Sequence, residues 1–252
     1  MIVPPAPDEP PLELGRATGD VLPFGTMSVL LVWALLTLAF AVRGLTGDVH
    51  ALVAWGANVA GAPVGETAWR LVASTFLHAG LVHVAMNAIS LLMFGSAVES
   101  MFAPGAFAVV YVFGGAVAAL GSLWWHAARH GGAAVPSVGG SGAVFALGGA
   151  VLAAAVQLRG RLAVGRARAL AAGALFLLMN SLTAGFAKLG TDNAAHASGL
   201  VAGFALGLAL PVAPALGGPA RTPLVTAVAV LAVVAAVAAL AYSLVHGLRT
   251  LW

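Results

Sequence analysis

The chain has 252 residues, 61% of them hydrophobic and only 8% charged, with a formal net charge of +3. So little polar surface cannot coat a water-soluble fold, which excludes a soluble globular domain and points to an integral membrane protein. Eleven basic residues scattered along the chain form no stripe for nucleic acid, and the lack of cysteine excludes disulfides and thiolate metal sites.

Residues 1–25 carry Pro4, Pro5, Pro7, Pro10 and Pro11 and four carboxylates, Asp8, Glu9, Glu13 and Asp20, against Arg16. Such a segment builds no core and is expected to be flexible and cytoplasmic. It lacks the basic start, apolar stretch and small-residue cleavage site of a signal peptide, so the first apolar run is expected to be retained. Seven apolar runs are long enough to cross a hydrocarbon core of about 30 Å. They lie near 27–43, 82–103, 105–126, 141–158, 168–187, 194–213 and 222–247. The connection 44–81 is too broken by Gly, Pro and charge to span, yet Val53, Trp55, Trp69, Phe76 and Leu77 make it too apolar to float free. A structured loop lying in the membrane interface is expected there, inside a core of residues 26–213. Residues 214–252 then supply a linker and a seventh helix.

Arg159, Arg161, Arg166 and Arg168 crowd the connection between the fourth and fifth runs, which the positive-inside rule assigns to the cytoplasm. The N-terminus is then cytoplasmic and the C-terminus external. A full count is nearly even, six basic residues inside against five outside, so the concentrated cluster carries the orientation. Under this topology three polar sites converge towards the outer face.

The first site reads "STFLHAGLVHVAMNAISLLMFG". His83 and Asn87 stand four apart at the head of a helix and project from one face. An unpaired polar group in hydrocarbon costs several kcal/mol, so both need a partner, water or substrate. Taken alone the pair reads more readily as a helix-bridging hydrogen bond. His78, five residues earlier, is expected to tie the interfacial loop to the bundle. The second site, "VPSVGGSGAVFALGGA", sets Ser141 among Gly139, Gly140 and Gly142 where the fourth run begins. The third, "TDNAAHASGLVAGFALG", sets His196 before Gly199, Gly203 and Gly207 at four-residue spacing, a ridge that lets another helix approach closely. Gly142, Ala146 and Gly149 offer the fourth run a matching face. If those faces pack, Ser141 and His196 meet at the same end of one contact, a nucleophile beside a general base.

The order "HAGLVHVAMN" (78–87), "GGSG" (139–142) and "AHASGLVAG" (195–203) resembles the rhomboid intramembrane serine proteases over about residues 27–213. Trp69–Arg70 and Ala97–Glu99 resemble further, structural features of that family. The resemblance implies an all-α integral membrane protein, a six-helix rhomboid-like bundle, here with one extra C-terminal transmembrane helix. It implies that Ser141 attacks a peptide carbonyl while His196 takes up its proton and returns it to the leaving amine. No aspartate is needed, and Asp192, four residues before His196, is not expected to be a third member. His83, Asn87 and the backbone N–H of Ser141 would meet the oxyanion, Ser141 lying near a helix N-terminus where orphan N–H groups favour negative charge. Neither metal nor cofactor is implied. The substrates would be transmembrane segments of other proteins, met within the lipid bilayer, and the composition suits a bacterial plasma membrane.

One position departs from the family pattern. A tyrosine usually packs on the catalytic histidine one turn after the nucleophile, and Phe145 stands there instead, keeping the ring and losing the hydroxyl. Rival readings fare worse. His78, His83 and His196 could be imagined around zinc, but no H-E-x-x-H occurs and no carboxylate accompanies them as base. A transporter would want charges along its path, and Glu99 near an inner end is the sole carboxylate inside a run. A non-catalytic rhomboid-like protein that binds or sorts membrane clients usually lacks the serine or the histidine. His50, His126, His130 and His246 lie in loops or near helix ends, are expected to be solvated or interfacial, and are assigned no role. The resemblance implies that a substrate helix enters sideways near the fifth run, which with Asn180, Ser181 and Thr183 reads as a softer helix than its neighbours.

Overall fold

Within lipid every backbone polar group must be satisfied inside the protein, and a helix does this segment by segment. The computed structural model describes residues 22–129, 136–158, 191–212 and 222–251, with single positions at 169, 172, 173, 176 and 179, and these are overwhelmingly helical. In chain order they are α1 (Phe24–Val42), α2 (Val49–Ala54), β1 (Asn58–Val59), α3 (Val64–Thr67), α4 (Arg70–Ala73) and α5 (Leu81–Met101). Then come α6 (Ala106–Arg129), β2 (Pro136–Ser137), α7 (Ser141–Gln157), α8 (Asn193–Ala209) and α9 (Pro223–Leu251). Residues 1–21, the cluster Arg159, Arg161, Arg166 and Arg168, most of the run 168–187 with Asn180, Ser181 and Thr183, and the linker 213–221 lie outside the described residues.

By length and composition α1, α5, α6 and α9 can each cross a membrane. The runs expected at 141–158 and 194–213 are shorter as helices, 17 residues each. At about 1.5 Å per residue they rise about 25 Å, less than a hydrocarbon core of about 30 Å. The sixth run ends early because its tail leaves the helix: Leu210 is extended, Val212 bridges to Phe102, and Pro211 O accepts Ala103 N–H at 3.1 Å.

Side-chain contacts fix the running direction of each helix. Glu99, near the end of α5, accepts Gly25 N–H at 2.9 Å, Thr26 N–H at 2.8 Å and the Thr26 hydroxyl at 2.7 Å. A carboxylate from 73 residues away thus satisfies orphan donors at the N-terminus of α1 and answers its dipole. Gln157 donates to Gly207 O at 2.6 Å, so α7 and α8 end at one level. The chain therefore starts α5, α7 and α8 at one end of the bundle, called the mouth below, and α1 at the other.

The α7–α8 contact is made by small residues. A Cβ on Gly199 would strike the Gly142 carbonyl, one on Gly203 the Ala146 carbonyl, and one on Gly207 would lie 2.7 Å from Ala153 Cβ. Backbones meet directly, and all but the last turn of α7 is largely buried. Around it Trp33, Phe94, Tyr111, Leu91 and Leu147 fill the core, each at most 2% exposed. Leu31, Leu35 and Leu38 of α1 and Val230, Val234 and Val237 of α9 point outward, a lipid-facing pattern.

The connection 44–81 is ordered by its own short helices and by α9. Asp48 caps α2 through Ala51 N–H at 3.0 Å, and the Arg70 guanidinium donates to the Val53 and Ala57 carbonyls. From α9, Ser243 Oγ donates to Trp55 O, the His246 ring nitrogen Nδ1 lies 2.8 Å from Ala54 O, and Gly247 leaves room for the Trp55 indole. Trp69 packs on Tyr242 and His246 at centroid separations of 4.9 and 5.6 Å. His246, to which sequence alone assigned no role, is therefore part of a tertiary joint.

Gly203→Val should abolish the close approach of α7 and α8. Because the added atoms meet backbone, the loss should reach or exceed the 1–3 kcal/mol typical of overpacking. Thermal unfolding in detergent should show a marked fall in Tm, whereas Ala205→Val on the exposed face of α8 should leave it near the parent value.

Candidate active site

The mouth is organised around two carbonyls of one short turn, Ser74 O and Thr75 O. Residues 74–76 form one 3-10 turn. There Thr75 O accepts Trp33 Nε1–H from α1 and Tyr111 O–H from α6, both at 3.1 Å. Tyr111 lies in a π-helical stretch, Val110–Gly114. Such widened turns recur at functional sites. The neighbouring Ser74 O accepts Gly139 N–H at 3.0 Å, which fastens the segment before α7 to the same turn. Gly139 has φ +125°, a conformation that favours glycine, and a Cβ there would lie 2.7 Å from the His83 ring. A Cβ on Gly140 would enter the Trp33 indole.

Ser141 is the first residue of α7 and His196 lies in the first turn of α8. The glycine contact between the two helices brings Ser141 Oγ to 2.8 Å from His196 Nε2. Phe145, one turn further along α7, stacks on the imidazole with ring centroids 4.3 Å apart and planes 5° from parallel. His196 and Phe145 are 8% and 6% exposed, so the imidazole has a packed face and a restricted edge.

His78, His83 and Asn87 gather beside this pair. Gly140 N–H points to His78 Nε2 at 3.5 Å, and Asn87 Nδ2 lies 3.0 Å from the same nitrogen. A backbone N–H can only donate, so Nε2 is the acceptor and the ring proton sits on Nδ1. Desolvation, reinforced by His83, pushes the His78 imidazole down to about 3, which keeps it neutral. The ring meets Trp33 at 4.7 Å and His83 at 5.2 Å, both edge-on. His78 thus contacts both the segment before α7 and Asn87 of α5. His83 and Asn87 close on the Gly139 backbone just upstream of Ser141, the second with its amide nitrogen 3.5 Å from a Cβ built on Gly139.

Above the pair sits a second polar group. Asp192 caps α8, its Oδ1 accepting Ala195 N–H at 3.0 Å. Its Oδ2 accepts the Ser122 hydroxyl of α6 and, at 2.9 Å, the Ser137 hydroxyl of β2, with His126 Nε2 at 3.5 Å. β2 pairs with β1 in antiparallel register, Ser137 opposite Asn58, and Asn58 Nδ2 donates to Ala119 O of α6 at 2.9 Å. His126, to which no role was assigned, thus faces the same carboxylate. Sequence reasoning overlooked Trp33, Tyr111, Ser122 and Ser137. The acidic residue opening an apolar run was a legible helix-start signal, whereas the remote serines had none. Among the described residues no three His, Asp or Glu side chains are arranged to hold a metal.

A family model for the Rhomboid domain matches residues 65–212, which takes in every residue of the mouth except Trp33 and Asn58. The chain is 32% identical over 178 residues to Rhomboid protease GluP of Bacillus subtilis (strain 168), an alignment covering 70% of this chain and 33% of that protein. It is 31% identical over 127 residues to putative rhomboid protease YdcA of the same organism, covering 49% and 59% of the two chains. Against RHOMBOID-like protein 6, mitochondrial, of Arabidopsis thaliana, it is 32% identical over 157 residues, 61% of this chain and 47% of the other. The chain thus spans between a third and about three-fifths of the length of these curated relatives.

The Phe145 ring is the flat surface on which the His196 imidazole rests. Phe145→Tyr should keep the rate at which a fluorophosphonate labels Ser141 within a few-fold of the parent. Phe145→Ala should lower it on the order of 10- to 100-fold, the scale on which small misplacements of a reacting group act. Equal rates in all three proteins would show that the ring does not orient the imidazole.

Proposed function

The chain belongs to the rhomboid family of multi-pass membrane proteins, and from that premise we propose that it is an intramembrane serine endopeptidase working with a Ser141–His196 dyad. The observation that carries this reading is the 2.8 Å separation of Ser141 Oγ and His196 Nε2, held at the mouth by the α7–α8 contact. The protease names of GluP and YdcA support the same class of activity.

In this mechanism the Ser141 hydroxyl donates to Nε2 as its oxygen attacks the scissile carbonyl of a transmembrane segment. The proton moves to His196, and the carbonyl oxygen becomes an oxyanion. The His83 and Asn87 side chains and the Ser141 N–H, at the start of a helix where the first donors have no intrahelical acceptor, stabilise that charge. His78 holds the Asn87 amide at its post by accepting one of its N–H bonds. Collapse of the intermediate breaks the C–N bond while His196 gives its proton to the leaving amine. The acyl group stays on Ser141 until water, activated by His196, releases it and restores the hydroxyl. The glycines at 139, 140 and 142 bring this backbone close to His83, Trp33 and α6, and Gly199 and Gly203 bring α8 to α7.

The basic cluster at 159–168 directs the opposite end of the bundle to the cytoplasm and the mouth to the outer face. A reporter fused after Arg161 is expected to be cytoplasmic and one fused after Asp192 external. The reverse pattern overturns the orientation.

The purified protein is expected to take one fluorophosphonate label, on Ser141, lost in Ser141→Ala and sharply reduced in His196→Ala. Chelators should not alter it. His83→Ala or Asn87→Ala should fold normally and slow cleavage of a model transmembrane substrate by about 10- to 1,000-fold, up to the cost of a missing oxyanion donor. An unlabelled folded protein, where a control serine hydrolase reacts, would move the reading to a non-catalytic binding protein.

A further inference from the structure

The mechanism leaves Asp192 unused, although it is the most heavily engaged acceptor at the mouth. Its backbone carbonyl accepts His196 N–H at 3.1 Å, and its side-chain carboxylate is 15% exposed. Its two oxygens serve different elements. Oδ1 takes the N–H of Ala195, the residue before His196, and so fixes the first turn of α8. Oδ2 takes the hydroxyls of Ser122 and Ser137, Ser122 being 2% exposed on α6 and Ser137 four residues before Ser141. His126, at 3.5 Å, is the cationic-capable group facing the same oxygen. The ends of the two short helices that carry the reacting atoms are thus joined by one carboxylate.

We propose that Asp192 is a positioning residue that sets the distance between Ser141 and His196 by tying the segment leading into α7 to the start of α8. The inference rests on the dyad reading given above. The glycine ridge sets how closely α7 and α8 approach, and Gln157 on Gly207 O levels them at the far end, whereas at the mouth the Asp192 carboxylate links the start of α8 to the chain leading into α7. Ser137 is restrained from two sides, by the Asp192 bond and by its ladder with Asn58. Gly139, two residues on, is restrained by Ser74 O. With the Asp192 tie removed, the segment still answers to the interfacial loop through Asn58 and Ser74, but no longer to the helix that carries the base. The chemistry of the site predicts what a replacement can do. Asparagine keeps a cap oxygen for Ala195 N–H, since it is as good an N-cap as aspartate. Its second atom is an amide nitrogen, which cannot accept a hydroxyl proton and restores the tie only if the serines reverse their own bonds.

The test measures fluorophosphonate labelling of Ser141 together with kcat and KM for a model transmembrane substrate, in a double-mutant cycle over Asp192→Ala and Ser137→Ala. Asp192→Ala is expected to lower both the labelling rate and kcat about 10- to 100-fold, the range in which misplaced groups act, with KM changed less than about 2-fold. Ser137→Ala should fall by a smaller factor, and the double variant should be no slower than Asp192→Ala, because both remove the same bond. Asp192→Asn should recover towards the Ser137→Ala rate. Should Asp192→Ala fail to fold, the cycle run with Asp192→Asn and Ser137→Ala gives the same reading, non-additivity for a tie. Losses that multiply, a change confined to KM, or variants labelled at the parent rate would overturn the proposal while leaving the dyad in place. An unlabelled parent protein overturns both.

Discussion

The direct backbone contact between α7 and α8 is the constraint on which the site depends. A Cβ at Gly199 or Gly203 would collide with the carbonyls of Gly142 or Ala146, so the two helices can reach this separation only with glycine on one side. In lipid no hydrophobic force drives helices together, and dense packing of small faces takes its place. Ser141 and His196 each sit in the first turn of one of these helices, so the packing distance becomes the hydrogen-bond distance. Phe145 stacks flat on the imidazole, and the glycines before Ser141 decide how near the polar side chains of α5 can come.

A second constraint runs through the rest of the mouth: polar backbone groups in a low-dielectric setting must find partners. The segment 74–78 is not a helix of useful length, and its carbonyls would be costly if orphaned. Trp33 and Tyr111 take up Thr75 O, Gly139 adds a second bond to Ser74 O beside that of Leu77 N–H, and each of the three brings a different element to the turn. The same logic operates at the far end, where Glu99 meets the N-terminus of α1. Satisfying the backbone and assembling the site are therefore one process. Seen this way the interfacial loop is a framework, braced by Arg70 within and by Ser243 and His246 of α9 from outside.

What could be read in the sequence was whatever depends on periodicity or local spacing. His83 and Asn87 four apart, the ridge Gly199, Gly203 and Gly207, and Ser141 among glycines all declare a helix face before any neighbour is known. The length of α8 was overread because Leu210, Pro211 and Val212 are as apolar as the helix they leave, and hydrophobicity alone does not register an extended tail. Trp33 looked like one apolar residue in an apolar span, and its indole N–H acquires meaning only through Thr75, 42 residues away. His126, Ser122 and Ser137 likewise owe their roles to Asp192, which is distant from all three in the chain. His246 belongs to the same class, since its partner carbonyl is 192 residues removed.

The shortness of α8 also acts on what surrounds the protein. Its outer face carries Val201 and Leu208, 69% and 48% exposed, while the glycine ridge is turned inward. A helix of 17 residues presents about 25 Å of apolar wall to a bilayer whose acyl layer is about 30 Å deep. The longer spans α1, α5, α6 and α9, at 19, 21, 24 and 28 residues, rise further than α8, so this face of the bundle matches a thinner acyl layer than theirs.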